Sequence, residues 1–232
     1  MSAAPETSTR LYDLDRETVR DLNAHLHRPE AVRLAVTNPG GRHAIAVGID
    51  APYEVEIHGH VGYYCAGMNQ QATVRVYGNC GVGVAENMMS GTVIVKGSAS
   101  QSAGASAHGG LLVVHGHASA RCAISLKGAD IVVRGSVGHM SAFMAQSGCL
   151  LVCGDAGDAL GDSLYEARLY VRGAVASLGA DCVEKEMGEL HLAQVRGLLS
   201  RAGIDDVDPS EFRRYGSARQ LYHFHVDNLG TY

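Results

Sequence analysis

Thr73-Val74-Arg75-Val76-Tyr77-Gly78 alternates apolar and polar residues and stops on glycine, the pattern of a short strand running into a tight corner. Counting outward from Gly78 in steps of 19 residues meets a glycine every time: Gly59, Gly97, Gly116, Gly135, Gly154 and Gly173. Two residues before each glycine stand Ile57, Val76, Val95, Val114, Val133, Val152 and Val171. Four before stand Val55, Val74, Val93, Leu112, Ile131, Leu150 and Leu169. Seven after, only small residues occur: Ala66, Ala85, Gly104, Ala123, Ala142, Gly161 and Ala180. The register holds without insertions.

A 19-residue unit has room for two or three short strands and their turns, and cannot bury its own apolar face. The units must therefore stack. Stacked strands place equivalent residues ~4.8 Å apart, so seven coils over residues 51–186 make a β-helix ~35 Å long with aliphatic ladders inside. The fourteen ladder residues contribute at most ~20–40 kcal/mol, at ~1.5–3 kcal/mol for each buried side chain. At the glycine column, either a positive φ or close backbone stacking excludes a Cβ, and the all-small column marks a second corner. A left-handed hexapeptide helix is excluded because 19 is not a multiple of six.

Composition fits this reading. Glycine is abundant, at 29 of 232 residues, and aromatics are scarce, at 6% with no Trp, so the core is aliphatic. A net charge of −5 with only Lys96, Lys127 and Lys185 as lysines argues against nucleic-acid or anionic-membrane partners. The polar N-terminus lacks a signal-peptide core, no run reaches the ~20 apolar residues of a membrane span, and six cysteines read as reduced thiols. A cytoplasmic location is expected.

The flanks predict caps. Residues 15–27 read as a helix capped by Asp15, with Val19, Leu22 and Leu26 on one face. Residues 31–36 and 43–49 read as a hairpin around Asn38-Pro39-Gly40-Gly41, completing an N-terminal cap over 1–50. Beyond the coils, 187–232 forms a C-terminal region. Within 184–202 a helix is predicted with Met187, Leu190, Val195, Leu198 and Leu199 apolar, stopped by Gly203. Asp208-Pro209-Ser210-Glu211 is a second start signal, and the polar, aromatic stretch 213–232 reads as a docking tail.

Strand parity turns two columns outward. Three before the glycines, Ile94, Val113, Val132 and Leu151 form an apolar strip, covered either by the chain's own ends or by a partner. One before lie His58, Tyr77, Lys96, His115, Arg134, Cys153 and Arg172, a polar row expected to face solvent.

The search for chemistry yields little. His58/His60 and His115/His117 suggest metal ligands, but three coils put the pairs ~14 Å apart, too far to share an ion, and each pair straddles a corner. His223/His225 is equally weak. Asp155, Asp158 and Asp162 could mark calcium or a carboxylate pair, yet no neighbouring coil repeats them, so they read as turn residues. Cys149 and Cys153 share an outward face without a Cys-x-x-Cys, while Cys65 and Cys122 share one column as small core residues. Gly78, Gly81 and Gly83 are explained by the repeat, since no strand–helix–strand unit surrounds them. No catalytic, cofactor-binding or metal residue is assigned.

The repeated pattern, as in Ile131-Val132-Val133-Arg134-Gly135-Ser136-Val137-Gly138, resembles the GXGXG domain that ends the glutamate synthase large subunit. Gly62-Tyr63-Tyr64-Cys65-Ala66-Gly67-Met68-Asn69, Ala85-Glu86-Asn87-Met88-Met89-Ser90-Gly91, GSVGHMSAFMAQ at 135–146 and DDVDPSEFRRYGSARQLYHFHVDN at 205–228 are most similar to the stand-alone GXGXG subunits of N-methylglutamate synthase, its B subunits. The resemblance implies a right-handed parallel β-helix without an active site. It would join an amidotransferase-like subunit to a glutamate-synthase-like subunit holding FMN and an iron–sulfur cluster. The β-helix subunit of formylmethanofuran dehydrogenase shares the repeat, and the glycines alone do not separate the two families. A stand-alone carbohydrate-active β-helix would need acids, bases and aromatics stacked on one outer face.

Overall fold

The computed structural model describes residues 9–28 and 33–219. Its centre is a parallel β-solenoid. Strands β3 (Glu54–His58), β4 (Thr73–Val76), β5 (Thr92–Val95), β6 (Leu111–Val114), β7 (Lys127–Val133), β8 (Ser147–Val152) and β9 (Arg168–Val171) pair in sequence order. Their register follows the 19-residue step: Val55 lies beside Val74, Val74 beside Val93, and so on through Leu112, Ile131 and Leu150 to Leu169. These residues and the column at Ile57 and Val76 are fully buried. A second ladder of single bridges runs Val61–Cys80–Ala99–Ala118–Val137–Ala156–Val175 along the next side.

The two corners have different causes. At the glycine column the backbone stacks so closely that a Cβ on Gly78, Gly97, Gly116, Gly135, Gly154 or Gly173 would lie 2.3–2.8 Å from the carbonyl oxygen of the preceding glycine. At the small column, Ala66, Ala85, Gly104, Ala123, Ala142 and Gly161 are buried with φ between +54° and +67°. The residues two before and two after also take positive φ, as at Tyr64 and Met68 or Arg121 and Ser125. Left-handed and right-handed residues thus alternate around this side of each coil.

That alternation corrects the N-terminal hairpin. β1 (Arg10–Asp13) and β2 (Arg33–Thr37) join the ladder in parallel, β2 lying against β3, with Leu34 beside Val55 and Val36 beside Ile57. Residues 43–49 are not a strand. Ala44, Ala46 and Gly48 carry the same alternating positive φ, and this segment stacks under the next coil through Ala44 N–H to Tyr63 O, Ala66 N–H to Ile45 O and Gly48 N–H to Gly67 O. The expected strand's first residues, 31 and 32, lie outside the described residues. Helix α1 (Val19–Leu26) packs Leu22 and Leu26 into the core, and its N-cap is Thr18 accepting from Asp21 N–H at 3.1 Å, not Asp15.

At the far end, the predicted helix start at 184 gives way to β10 (Cys182–Lys185), and α2 spans Glu189–Ala202 with Gly203 at φ +68° ending it. Pro209–Glu211 is a single 3-10 turn capped by Asp208. Part of the expected docking tail is instead β11 (Arg213–Ser217), inserted antiparallel between β9 and β10.

Candidate functional site

The outward apolar strip is covered by the chain itself. Val113, Val132 and Leu151 are completely buried and Ile94 partly so, beneath Val195, Leu198, Leu199 and Ala202 of α2, with Ile204 and Phe212 extending the cover. Leu190 does not join them; it is 86% exposed. The adjoining outward row, expected in solvent, partly serves as a clamp. Arg134 pairs with Asp206 at 2.6 Å, Arg172 pairs with Glu211, and Arg201 of α2 pairs with Asp130 of β7. Tyr170 O–H donates to Gln194 Oε1 at 2.7 Å, and Gln194 Nε2 donates to Cys149 Sγ at 2.9 Å. Cys149 and Cys153 therefore lie under the helix. Burial pushes their thiols up to about 12 and about 11, the Asp130 carboxylate adding to the effect at Cys149. Neither is a thiolate near neutrality, so neither is an activated nucleophile.

The same row is open at the first coils. His58 stacks on Tyr77 with ring centres 5.0 Å apart, Tyr77 O–H donates to Glu56, and Lys96 contacts His115 at 3.2 Å. Burial, then the Lys96 and Arg134 charges, hold His115 below the usual imidazole range.

One residue past each glycine lies a feature the sequence reading missed. Asn79 N–H donates to His60 Nδ1, Ser98 N–H to Asn79 Oδ1, and His117 N–H to Ser98 Oγ. Ser136 N–H then donates to His117 Nδ1, Asp155 N–H to Ser136 Oγ, and Ala174 N–H to Asp155 Oδ1, all at 2.8–3.1 Å. Each side chain accepts from the backbone of the next coil, and the ladder stops at Ala174, whose methyl accepts nothing. His, Asn, Ser and Asp share only a short-reach acceptor, which is why a search by residue type passed over the column. The ladder occupies Nδ1 of His60 and His117, so each ring must carry its proton on Nε2.

The other candidates resolve similarly. Asp158 accepts from Ser177 Oγ of the next coil at 3.0 Å, and Asp162 accepts from the adjacent Ser163 Oγ at 2.7 Å. Cys122 is buried, which pushes its thiol up to about 12; Cys80 is raised by its hydrogen bond to Cys65 and then by burial. Gly78 and Gly81 stack directly on the backbone of Gly59 and Gly62, the close approach that the repeat requires of them. His223 and His225 lie outside the described residues. Among the described residues no three His, Cys, Asp or Glu side chains gather as a metal site, and no helix is long and apolar enough to cross a membrane.

What is exposed is a set of large side chains on the turn-bearing side of the coils: Tyr63 (56%), Tyr64, Met68, Met89 (48%), Met144 and Tyr165. Tyr64 hydrogen-bonds Glu86 of the next coil, which raises its phenol above the ordinary range.

These features define a parallel β-solenoid of about seven 19-residue coils whose repeated polar groups are engaged in coil-to-coil hydrogen bonds. No family model matches the chain. It is 59% identical over 224 residues to protein GlxC of Rhizobium meliloti (strain 1021), a match covering 95% of this chain and 98% of that protein. The chain belongs to the GlxC family.

Proposed function

We propose that the protein is a scaffold subunit, without an active site of its own, of a glutamate-synthase-like complex that forms N-methylglutamate from methylamine and glutamate. In this reading it joins an amidotransferase-like subunit to a subunit holding FMN and an iron–sulfur cluster, in the cytoplasm. The observation that carries the reading is where the distinguishing residues lie. The segments resembling stand-alone GXGXG subunits, 62–69, 85–91 and 135–146, depart from the bare repeat by adding large side chains, and Tyr63, Tyr64, Met68, Met89 and Met144 project outward. Exposed Tyr and Met on a rigid frame suit protein contacts, since both are enriched at interfaces.

The test is an affinity pull-down of tagged protein from its native host grown on methylamine, with a flavin spectrum and an assay of N-methylglutamate formation. A yellow complex with two further subunits and that activity supports the reading. A colourless monomer overturns it, and molybdenum or tungsten in place of flavin would assign the scaffold to a formylmethanofuran-dehydrogenase-type complex.

A further inference from the structure

The outward row one residue before the glycines stacks one side chain per coil, ~4.8 Å apart. Several of its basic members are answered by a carboxylate of the chain itself. His58 lies 3.8 Å from Glu56, Arg134 meets Asp206 at 2.6 Å, and Arg172 pairs with Glu211. Asp206 and Glu211 both belong to the segment that follows α2. The chain thus already uses carboxylates to fasten a covering segment onto this row.

Lys96 and His115 differ. Among the described residues neither meets a carboxylate, and they lie against each other instead, Lys96 Nζ 3.2 Å from His115 Nε2. The charges acting on His115 are those of Lys96 on one side and Arg134 on the other, both cationic. Two groups that could donate to one anion are held in mutual contact, a local reversal of sign in a chain of net charge −5. A carboxylate set between them would relieve the repulsion and satisfy both donors. Ile94 adds an apolar seat. It stands two residues before Lys96 on the same outward face, and it is the strip residue that α2 leaves only partly buried.

We propose that Lys96, His115 and Ile94 form a docking site for an acidic segment of a partner protein, its carboxylates accepting from Lys96 Nζ and His115 Nε2 and an apolar side chain covering Ile94. The occupant repeats from outside what Asp206 and Glu211 do from within, and charge sets its register and speeds its encounter. The site lies on the sheet face, away from the Tyr and Met surface, and does not depend on which subunits the scaffold joins.

The test is an NMR titration of the full chain with a glutamate-rich synthetic peptide carrying a central leucine pair. The same peptide with glutamine for every glutamate, and free glutarate, are the comparisons. The expected result is amide shifts centred on residues 94–96 and 113–115, lost at high salt and absent with the glutamine peptide. Lys96→Glu should weaken binding at least tenfold, with the amides of β8 unmoved as the control of the fold. Lys127→Glu, an equal charge change at the start of β7 and away from the row, should leave it within about twofold. The absence of shifts at these residues overturns the proposal. So does an equal loss in Lys127→Glu, which would make the attraction a general field effect, or glutarate binding as tightly as the peptide, which would make this a small-anion site.

Discussion

Ala123 is completely buried with φ +61°, a backbone conformation that disfavours any Cβ and tolerates a branched one least. Its position therefore limits both volume and shape. Ala123→Val adds ~1–3 kcal/mol of overpacking at a backbone that already bears left-handed strain, which a branched Cβ only increases, so a loss of at least roughly 1–3 kcal/mol is expected in urea titration. Ala123→Gly relieves ~1 kcal/mol of strain while losing a buried methyl worth ~0.8 kcal/mol, and should lie within about 1 kcal/mol of the parent. A harmless valine would show that the corner yields more than its geometry implies. The buried thiols make a second prediction. Cys122 and Cys149 have folded pKa values of about 12 against an ordinary 9.0. A raised thiol pKa means the folded state holds the proton more tightly, so this contribution is intact below pH 9 and is lost as pH rises through 12. The urea midpoint should show no fall from these thiols up to about pH 9 and fall above it, and Cys122→Ala should make the alkaline fall shallower. An unchanged slope in that variant would remove Cys122 from the account.

Among the elements, α2 decides what the outer sheet face can do. Leu198 sits in the cluster over Val113, Val132 and Leu151, and Leu198→Ala should cost about 2–4 kcal/mol; Leu190→Ala, at an exposed site, should stay within about 0.5 kcal/mol. All six cysteines are free and buried. Loosening α2 should therefore speed the labelling of Cys149 and Cys153 by a thiol reagent while Cys122, inside the coils, stays slow. Equal labelling of all three would mean that the helix opens only with global unfolding. The same element shows what sequence reading could reach. The seven coils were legible because a 19-residue register repeats in several columns at once. The strip at Ile94, Val113, Val132 and Leu151 announced that it required a cover, but period-two patterning says nothing about which element supplies it. The failed strand at 43–49 has a definite cause: Ile45, Ala46 and Ile49 are buried in a segment of alternating handedness whose apolar spacing mimics a strand. The hydrogen-bond ladder from His60 to Asp155 was hidden because four residue types serve one geometric purpose.

At the scale of the whole molecule, stacking in a fixed register makes the coil the natural unit of insertion and loss. Deleting residues 79–97 would join Gly78 to Ser98, bringing Val74 beside Leu112 and Ser98 N–H over His60 Nδ1, the place Asn79 now occupies. The deleted coil contributes only Ile94 to the α2 cluster, and there as a partly buried edge residue. The shortened chain should therefore fold, unfold in one cooperative transition, and show a denaturant slope reduced by roughly the fraction of surface removed. Deleting 18 residues from the same place should fail, because a one-residue slip would turn the buried aliphatics outward and bring the outward polar residues in. Urea titration followed by circular dichroism separates the outcomes. If the 18-residue deletion unfolds with the same midpoint as the 19-residue one, register is not what holds the coils together. A stable 19-residue deletion beside an unfolded 18-residue one would establish that the repeat length is itself the structural constraint. The outward residues are then free to vary from coil to coil with whatever the solenoid meets.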